Sequence, residues 1–316
     1  MEPVQGETQE PLTVQAERWR EILHPLIHTE GGGAYEERTL DTKAGSIRIL
    51  IYKSPQWEPN ARHPVYLNMH GGGWVVSKAE MDNAWCRRIS DETGAVVVSV
   101  DYCKAPEHPY PGALNQCYEV LRWIADTSSD GGATLYALDP NKVILGGFSA
   151  GGNMAFTIAL KLIQDKDISV KLVMINTNSA QIDLETPYEQ QIAGVSDDCR
   201  AKSLPPAMVD FFVTVNTKPE ERSQPLCSPK FASDDWLAQL PTCVILTAEW
   251  DGLHVEANRF AHQLGDAGVH VVSHTYPQSV HPFFNLLPGD PDCNGETKAE
   301  ATALAIAEMK KAYASA

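Results

Sequence analysis

Ser149 stands in the run Gly147-Phe148-Ser149-Ala150-Gly151, with the apolar residues Val143 to Leu145 upstream and a helix-compatible segment, Met154 to Gln164, downstream. This G-x-S-x-G spacing predicts a strand, a very tight turn and a helix. The hydroxyl then projects above a sheet, because its neighbours are too small to cover it. A serine so placed can attack a carbonyl carbon if a base takes its proton and an acid orients the base. The competing use of such a turn is a serine that only caps the helix.

Base and acid are expected later in the chain, in the order serine, acid, histidine. Cys243 to Ala248 reads as a late strand and runs into Glu249-Trp250-Asp251-Gly252-Leu253, which puts Asp251 just past the strand end. Val269 to Tyr276 reads as the last strand and leads to His281, in a loop before the final helix. No other histidine has this placement: His270 and His274 fall within a strand, and His254 and His262 fall on a helix. Glu249 is the competing acid, but it sits within or at the edge of its strand. A further signal is His70-Gly71-Gly72-Gly73-Trp74, which follows an earlier strand. Glycines there leave amide N–H groups unblocked. With the N–H of Ala150 they would hold the negative oxygen of a tetrahedral intermediate. His70 is expected to hold this loop by hydrogen bonds rather than to act as a base. No G-x-x-x-x-G-K-[ST] makes the glycines a phosphate cradle.

The elements that must position these residues alternate. Ser46–Tyr52 and Pro64–His70 read as strands, Glu80–Glu92 as a helix, and Ala95–Val100 as a strand buried on both faces. A proline-rich loop, Asp101 to Pro111, precedes a helix over Gly112–Asp126. After the serine and its helix come a strand at Val170–Asn176, then Thr242–Thr247, a helix over His254–Ala267, the last strand, and a helix over Thr297–Tyr313. The alternation implies βαβ units, a mostly parallel sheet and an α/β fold. It breaks between about Thr177 and Lys230. The N-terminal region, with Leu12, Trp19, Ile22, Leu23 and Leu26 on one amphipathic helix closed by Gly31-Gly32-Gly33, lies before the sheet begins. We therefore expect residues 1–34 and 177–230 to form a helical cap over a catalytic core made of 35–176 and 231–316. Trp74, Phe148, Phe211 and Phe212 are the weak candidates for lining a substrate pocket, with Met208 and Trp19 beside them. Ordinary packing competes for each.

Composition narrows the function. The chain has 316 residues and a formal net charge of -16, which repels a polyanion, so nucleic acid is not an expected partner. Met1 to Glu10 has neither the basic nor the apolar part of a secretory leader, and no apolar run is long enough to span a bilayer. The seven cysteines are scattered without a C-x-x-C pair, as in a reducing compartment, so a cytoplasmic location is expected. No metal-ligand spacing and no dinucleotide fingerprint occurs, and no metal or cofactor is expected. A homodimer is an assembly state the sequence leaves open.

His70-Gly71-Gly72-Gly73-Trp74, Asp101-Tyr102 with Ala105-Pro106-Glu107-His108-Pro109-Tyr110-Pro111, the turn at Ser149, Ser228-Pro229, Ala248 to Leu253, and His281-Pro282-Phe283 occur in that order. From about residue 45 to the C-terminus the chain resembles the hormone-sensitive-lipase-like carboxylesterases of the α/β-hydrolase fold. The resemblance implies Ser149, Asp251 and His281 as a triad, Gly72, Gly73 and Ala150 as the oxyanion hole, and a helical cap. It departs from the family in Phe148, where Asp or Thr is usual, in Cys103-Lys104 after Asp101-Tyr102, and in Gly252 and Val255. The expected function is hydrolysis of small or medium acyl esters through an acyl-enzyme. The same triad would also serve a lactonase, an arylformamidase or an acyl transferase. A non-catalytic ligand-binding protein of this fold is the reading from another class, and the presence of His281 weighs against it.

Overall fold

The computed structural model describes residues 10–29, 31, 33–281 and 283–316. Eight strands form one sheet: β1 (Glu36–Thr42), β2 (Gly45–Tyr52), β3 (His63–Met69), β4 (Val96–Asp101), β5 (Leu138–Phe148), β6 (Leu172–Asn178), β7 (Thr242–Trp250) and β8 (Val271–Val280). Their spatial order is β1-β2-β4-β3-β5-β6-β7-β8. β2 runs antiparallel to β1 and β4, and the other neighbouring pairs are parallel. The helices are α1 (Leu12–Leu23), α2 (Asn83–Thr93), α3 (Gly112–Ala125), α4 (Gly132–Leu135), α5 (Ala150–Asp165), α6 (Tyr188–Gln191), α7 (Asp197–Lys202), α8 (Pro206–Asn216), α9 (Asp234–Leu237), α10 (His254–Asp266) and α11 (Gly295–Ala314).

Alternate residues of the central strands go to opposite faces. Val65, Leu67, Val143 and Leu145 join Leu121, Phe156 and Phe260 of α3, α5 and α10 on one side. Tyr66, Val97, Ile144 and Val244 join Ile89 of α2 and Met309 of α11 on the other. Both faces are covered, which is why β4 is a run of valines rather than an alternation. Near the sheet's end Gly146 of β5 lies against Tyr66 of the neighbouring β3, and a Cβ there would overlap the tyrosine hydroxyl.

Several expectations shift. β1 was not anticipated: only Leu40 of its seven residues is buried, so it carries almost no apolar alternation. β5 begins five residues before Val143, through Asp139-Pro140-Asn141, where composition disfavours a strand. The helix expected over Glu80–Glu92 opens as a 3-10 turn, Ala79–Asp82, before α2. In α1, Leu12 and Ile22 are exposed rather than packed, and Ala16 is the buried residue. Trp19 and Leu23 do pack inward, against the cluster shared with Met208 and Phe212 of α8. The Leu26 side chain, Gly32 and Pro282 lie outside the described residues. The irregular stretch between β6 and β7 is helical in α6, α7 and α8, and α8 sits beside α1 over Val75, Val76 and Ala105.

Gly146→Ala is expected to cost about 2–3 kcal/mol, because neither the buried Tyr66 ring nor the Asn176 carbonyl can retreat. Chemical denaturation should show a lower midpoint at an unchanged m-value.

Candidate active site

β5 ends at Phe148, and Ser149 sits between it and α5 with φ 54° and ψ -116°. A non-glycine residue held there carries about 1–3 kcal/mol of strain that its surroundings must offset. Three backbone bonds do so: Ser149 N–H donates to Asn178 O at 2.9 Å, and Ser149 O accepts from Asn153 N–H at 3.1 Å and from Gln181 N–H at 3.3 Å. The flanking glycines have a steric reason. A Cβ on Gly147 or Gly151 would overlap the Met69 carbonyl oxygen of β3. The turn is thus wedged against the strand that leads into the glycine loop.

That loop follows β3. Gly72 and Gly73 both have positive φ, 113° and 58°, and a Cβ on either would collide, with Val76 O in the first case and the Phe212 ring in the second. Among the described residues the N–H groups of Gly72, Gly73 and Ala150 donate to no protein acceptor. His70 is fully buried, stacked on Tyr102 at 4.2 Å, and its Nδ1 is 2.5 Å from Gly71 O. The Tyr102 hydroxyl donates to His70 O at 2.8 Å. Asp101 lies 3.8 Å from His70 Nε2, yet its carboxylate is engaged by Lys104 and Arg48. Burial holds the His70 imidazole well below its ordinary pKa, with the Lys104 charge adding to the effect. His70 is neutral and structural, as the sequence suggests.

Asp251 follows β7 and is completely buried. Its Oδ2 accepts from His281 Nδ1–H at 2.8 Å, and its Oδ1 accepts from Leu253 N–H at 3.1 Å. Helices between β6 and β7 brace this turn, since the Ser203 hydroxyl after α7 accepts from Gly252 N–H at 2.8 Å. A Cβ on Gly252 would strike Ile192 and Tyr188. Glu249, the rival acid, is exposed and accepts from Gln278 N–H instead. With Nδ1 committed to Asp251, Nε2 is the nitrogen left to accept a proton.

Ser149 and His281 line one cavity of about 300 Å³ together with Gly71, Gly72 and Gly73. They form no hydrogen bond to each other among the described residues, and such bonds commonly tighten only once substrate is bound. Of the pocket candidates, Phe148 and Phe212 line this cavity and Trp74 and Phe211 do not. Trp74 turns into the core and borders a separate small cavity beside Asn153 and Met154. Phe211 packs on the Phe212 ring. Met208 lines the cavity and Trp19 does not. Sequence reasoning missed Leu23, Ile27, His28, Met81, Gln181, Leu204 and Asn285, which also face it. No motif marks them, since distant segments bring them together. Asn285 is tied down by Asp82, a buried carboxyl that also accepts from Asn68 Nδ2 at 2.9 Å and whose pKa burial pushes up to about 7.

The neutral burial of His70 has a pH consequence. An unfolded chain binds a proton at this imidazole below its ordinary pKa of about 6.5, and the fold refuses it. The contribution is complete above that pH and is lost as the pH falls. Unfolding free energy of the native chain should therefore drop below about pH 6.5 more steeply than that of His70→Gln, by about 1.4 kcal/mol per pH unit. Parallel slopes in denaturation at several pH values would contradict this.

Comparison with known proteins agrees with the architecture. A family model described as alpha/beta hydrolase fold matches residues 66–285. The chain is 30% identical over 283 residues to the carboxylesterase NlhH of Mycobacterium tuberculosis, covering 88% of this chain and 82% of that protein. It is 28% identical over 270 residues to an arylesterase of Saccharolobus solfataricus, covering 83% and 81%. Among solved structures, a thermostable esterase from Pseudomonas putida superposes with a TM-score of 0.81 at 28% identity, covering 96% of this chain and 92% of that one. The chain therefore belongs to the α/β-hydrolase fold family, in its hormone-sensitive-lipase-like branch.

Proposed function

We propose that the chain is a serine carboxylesterase that cleaves esters of small or medium acyl groups through an acyl-enzyme. The observation that carries this is the His281–Asp251 pair at 2.8 Å, whose histidine lines the same cavity as Ser149. His281 Nε2 takes the Ser149 proton as the oxygen attacks the ester carbonyl. Asp251 keeps the imidazole in the tautomer that can accept it and stabilises the imidazolium. The amides of Gly72, Gly73 and Ala150 receive the oxyanion, at about 3–4 kcal/mol per donor in comparable sites. His281 returns the proton to the departing alcohol, then activates the water that releases the acid. The cavity, about 300 Å³ and largely apolar, suits a short or medium chain.

In this reading residues 1–34 and 177–230 are the cap and 35–176 with 231–316 are the core. Its supports are the cluster that α1 shares with α8, and Arg20, whose guanidinium bonds Val75 O at 3.0 Å and Ala105 O at 2.9 Å. A reducing, cytoplasmic setting fits seven free cysteines, five of them buried. No helix of the described residues is long and apolar enough to cross a membrane.

Ser149→Ala should lose at least about 10⁴-fold in kcat on p-nitrophenyl butyrate while keeping its thermal unfolding transition, and Asp251→Asn should lose about 10⁴-fold through the wrong tautomer. Turnover near the native rate in either folded variant contradicts the assignment. Native activity on a lactone or an N-formyl anilide exceeding that on the ester would move the chain to the rival substrate classes.

A further inference from the structure

Gln181 stands apart from the other groups around Ser149. Its backbone N–H bonds Ser149 O at 3.3 Å, and its backbone O accepts from Asn153 Nδ2 at 2.9 Å, so its main chain is locked to the serine turn. The residue is 5% exposed. Its side-chain amide has no hydrogen-bond partner among the described residues, whereas on Asn285, the other carboxamide on this cavity, Nδ2 donates to Asp82 and Met81 and only Oδ1 is left without a partner. The side-chain amide is open to the cavity rather than sealed in the core, so it is free to bond what enters there.

The position of Gln181 says what would. It borders two cavities at once, the apolar one of about 300 Å³ that holds Ser149 and a second of about 190 Å³. Val209 is shared in the same way, so the two residues form the partition. The second cavity is lined by more carboxylates than cations. Asp183, Glu185 and Asp210 line it, against Arg222. Asp183 is already paired with Lys230 at 2.6 Å, and Asp210 accepts from Tyr188 N–H at 3.0 Å. An anionic substituent would be repelled there, and an apolar one would leave the Gln181 amide unmet.

We propose that Gln181 is a specificity-determining residue, and that the substrate is an ester bearing a neutral hydrogen-bonding group, a hydroxyl or amide, close to the scissile carbonyl. This rests on the esterase reading above. The apolar end of the molecule fills the Ser149 cavity, and the polar group meets the Gln181 carboxamide at the mouth of the second cavity. An amide donates and accepts, so it serves either end of a hydroxyl. A site that hydrogen-bonds a substrate group discriminates strongly against the analogue lacking it, because its own polar atoms are then left unpaired.

The test uses two isosteric pairs on the full chain: 2-hydroxyethyl butyrate against propyl butyrate, and ethyl 3-hydroxybutyrate against ethyl 3-methylbutyrate. The first pair places the hydroxyl in the alcohol and the second places it in the acyl group. For the native protein, kcat/KM should favour the hydroxyl member of at least one pair by about tenfold or more. In Gln181→Met, which keeps the volume, that preference, read as the ratio of kcat/KM within each pair, should collapse toward unity. A native preference for the alkyl member in both pairs would overturn the proposal without any variant having to fold. A preference that survives in Gln181→Met would overturn it as well. Failure of the native chain to hydrolyse any of the four esters is the separate result that removes the esterase reading, and the proposal with it.

Discussion

Everything in the site depends on one backbone constraint: a serine forced into left-handed geometry at the junction of β5 and α5. The turn reverses the chain so tightly that the amide of Ala150 starts a helix while the hydroxyl of Ser149 faces the cavity. It persists because the Met69 carbonyl of β3 occupies the space that side chains at Gly147 and Gly151 would need. The same contact sets the distance between the serine turn and the glycine loop that continues from β3. Parallel neighbours β3 and β5 thus bring the serine turn and the glycine loop together.

A second constraint is electrostatic. The chain carries a net charge of -16, but the surface of the cavity around Ser149 is mostly apolar. In such surroundings a few oriented dipoles and one buried carboxylate act with little screening. Asp251 is fully buried and has two donors, His281 and the Leu253 amide. His70, equally buried, is kept neutral and used to hold the glycine loop through Gly71 and Tyr102. Two histidines at the same site therefore differ in environment. The difference is in their partners: a carboxylate for one, and a backbone carbonyl with a stacked ring for the other.

The parts legible in the sequence were those dictated by local chemistry. The glycines at 72, 73, 147 and 151, the serine between strand and helix, and the acid and histidine after the last two strands are each marked by a steric or ordering rule. β1 was hidden because it is an edge strand with one buried residue, and exposed strands carry no periodic signal. The ends of β5 and β8 were misjudged because backbone pairing with neighbours overrode poor strand composition. The cavity walls were the least legible. Trp74, within the glycine motif, and Phe211 turn away from the cavity, whereas Leu23, Met81, Gln181 and Leu204 reach it from four separate segments. Lining a cavity is a property of tertiary packing, and nothing in a local window encodes it.

On the proposed mechanism Ser149 forms a covalent bond to the acyl group during turnover. The most direct measurement is intact mass followed by peptide mapping after exposure to a fluorophosphonate, which phosphonylates only a serine activated by a base. A single adduct per chain is expected, located on Ser149 and formed in step with loss of esterase activity. An unlabelled chain that is catalytically active, or an inactivating adduct on any other residue, would contradict it.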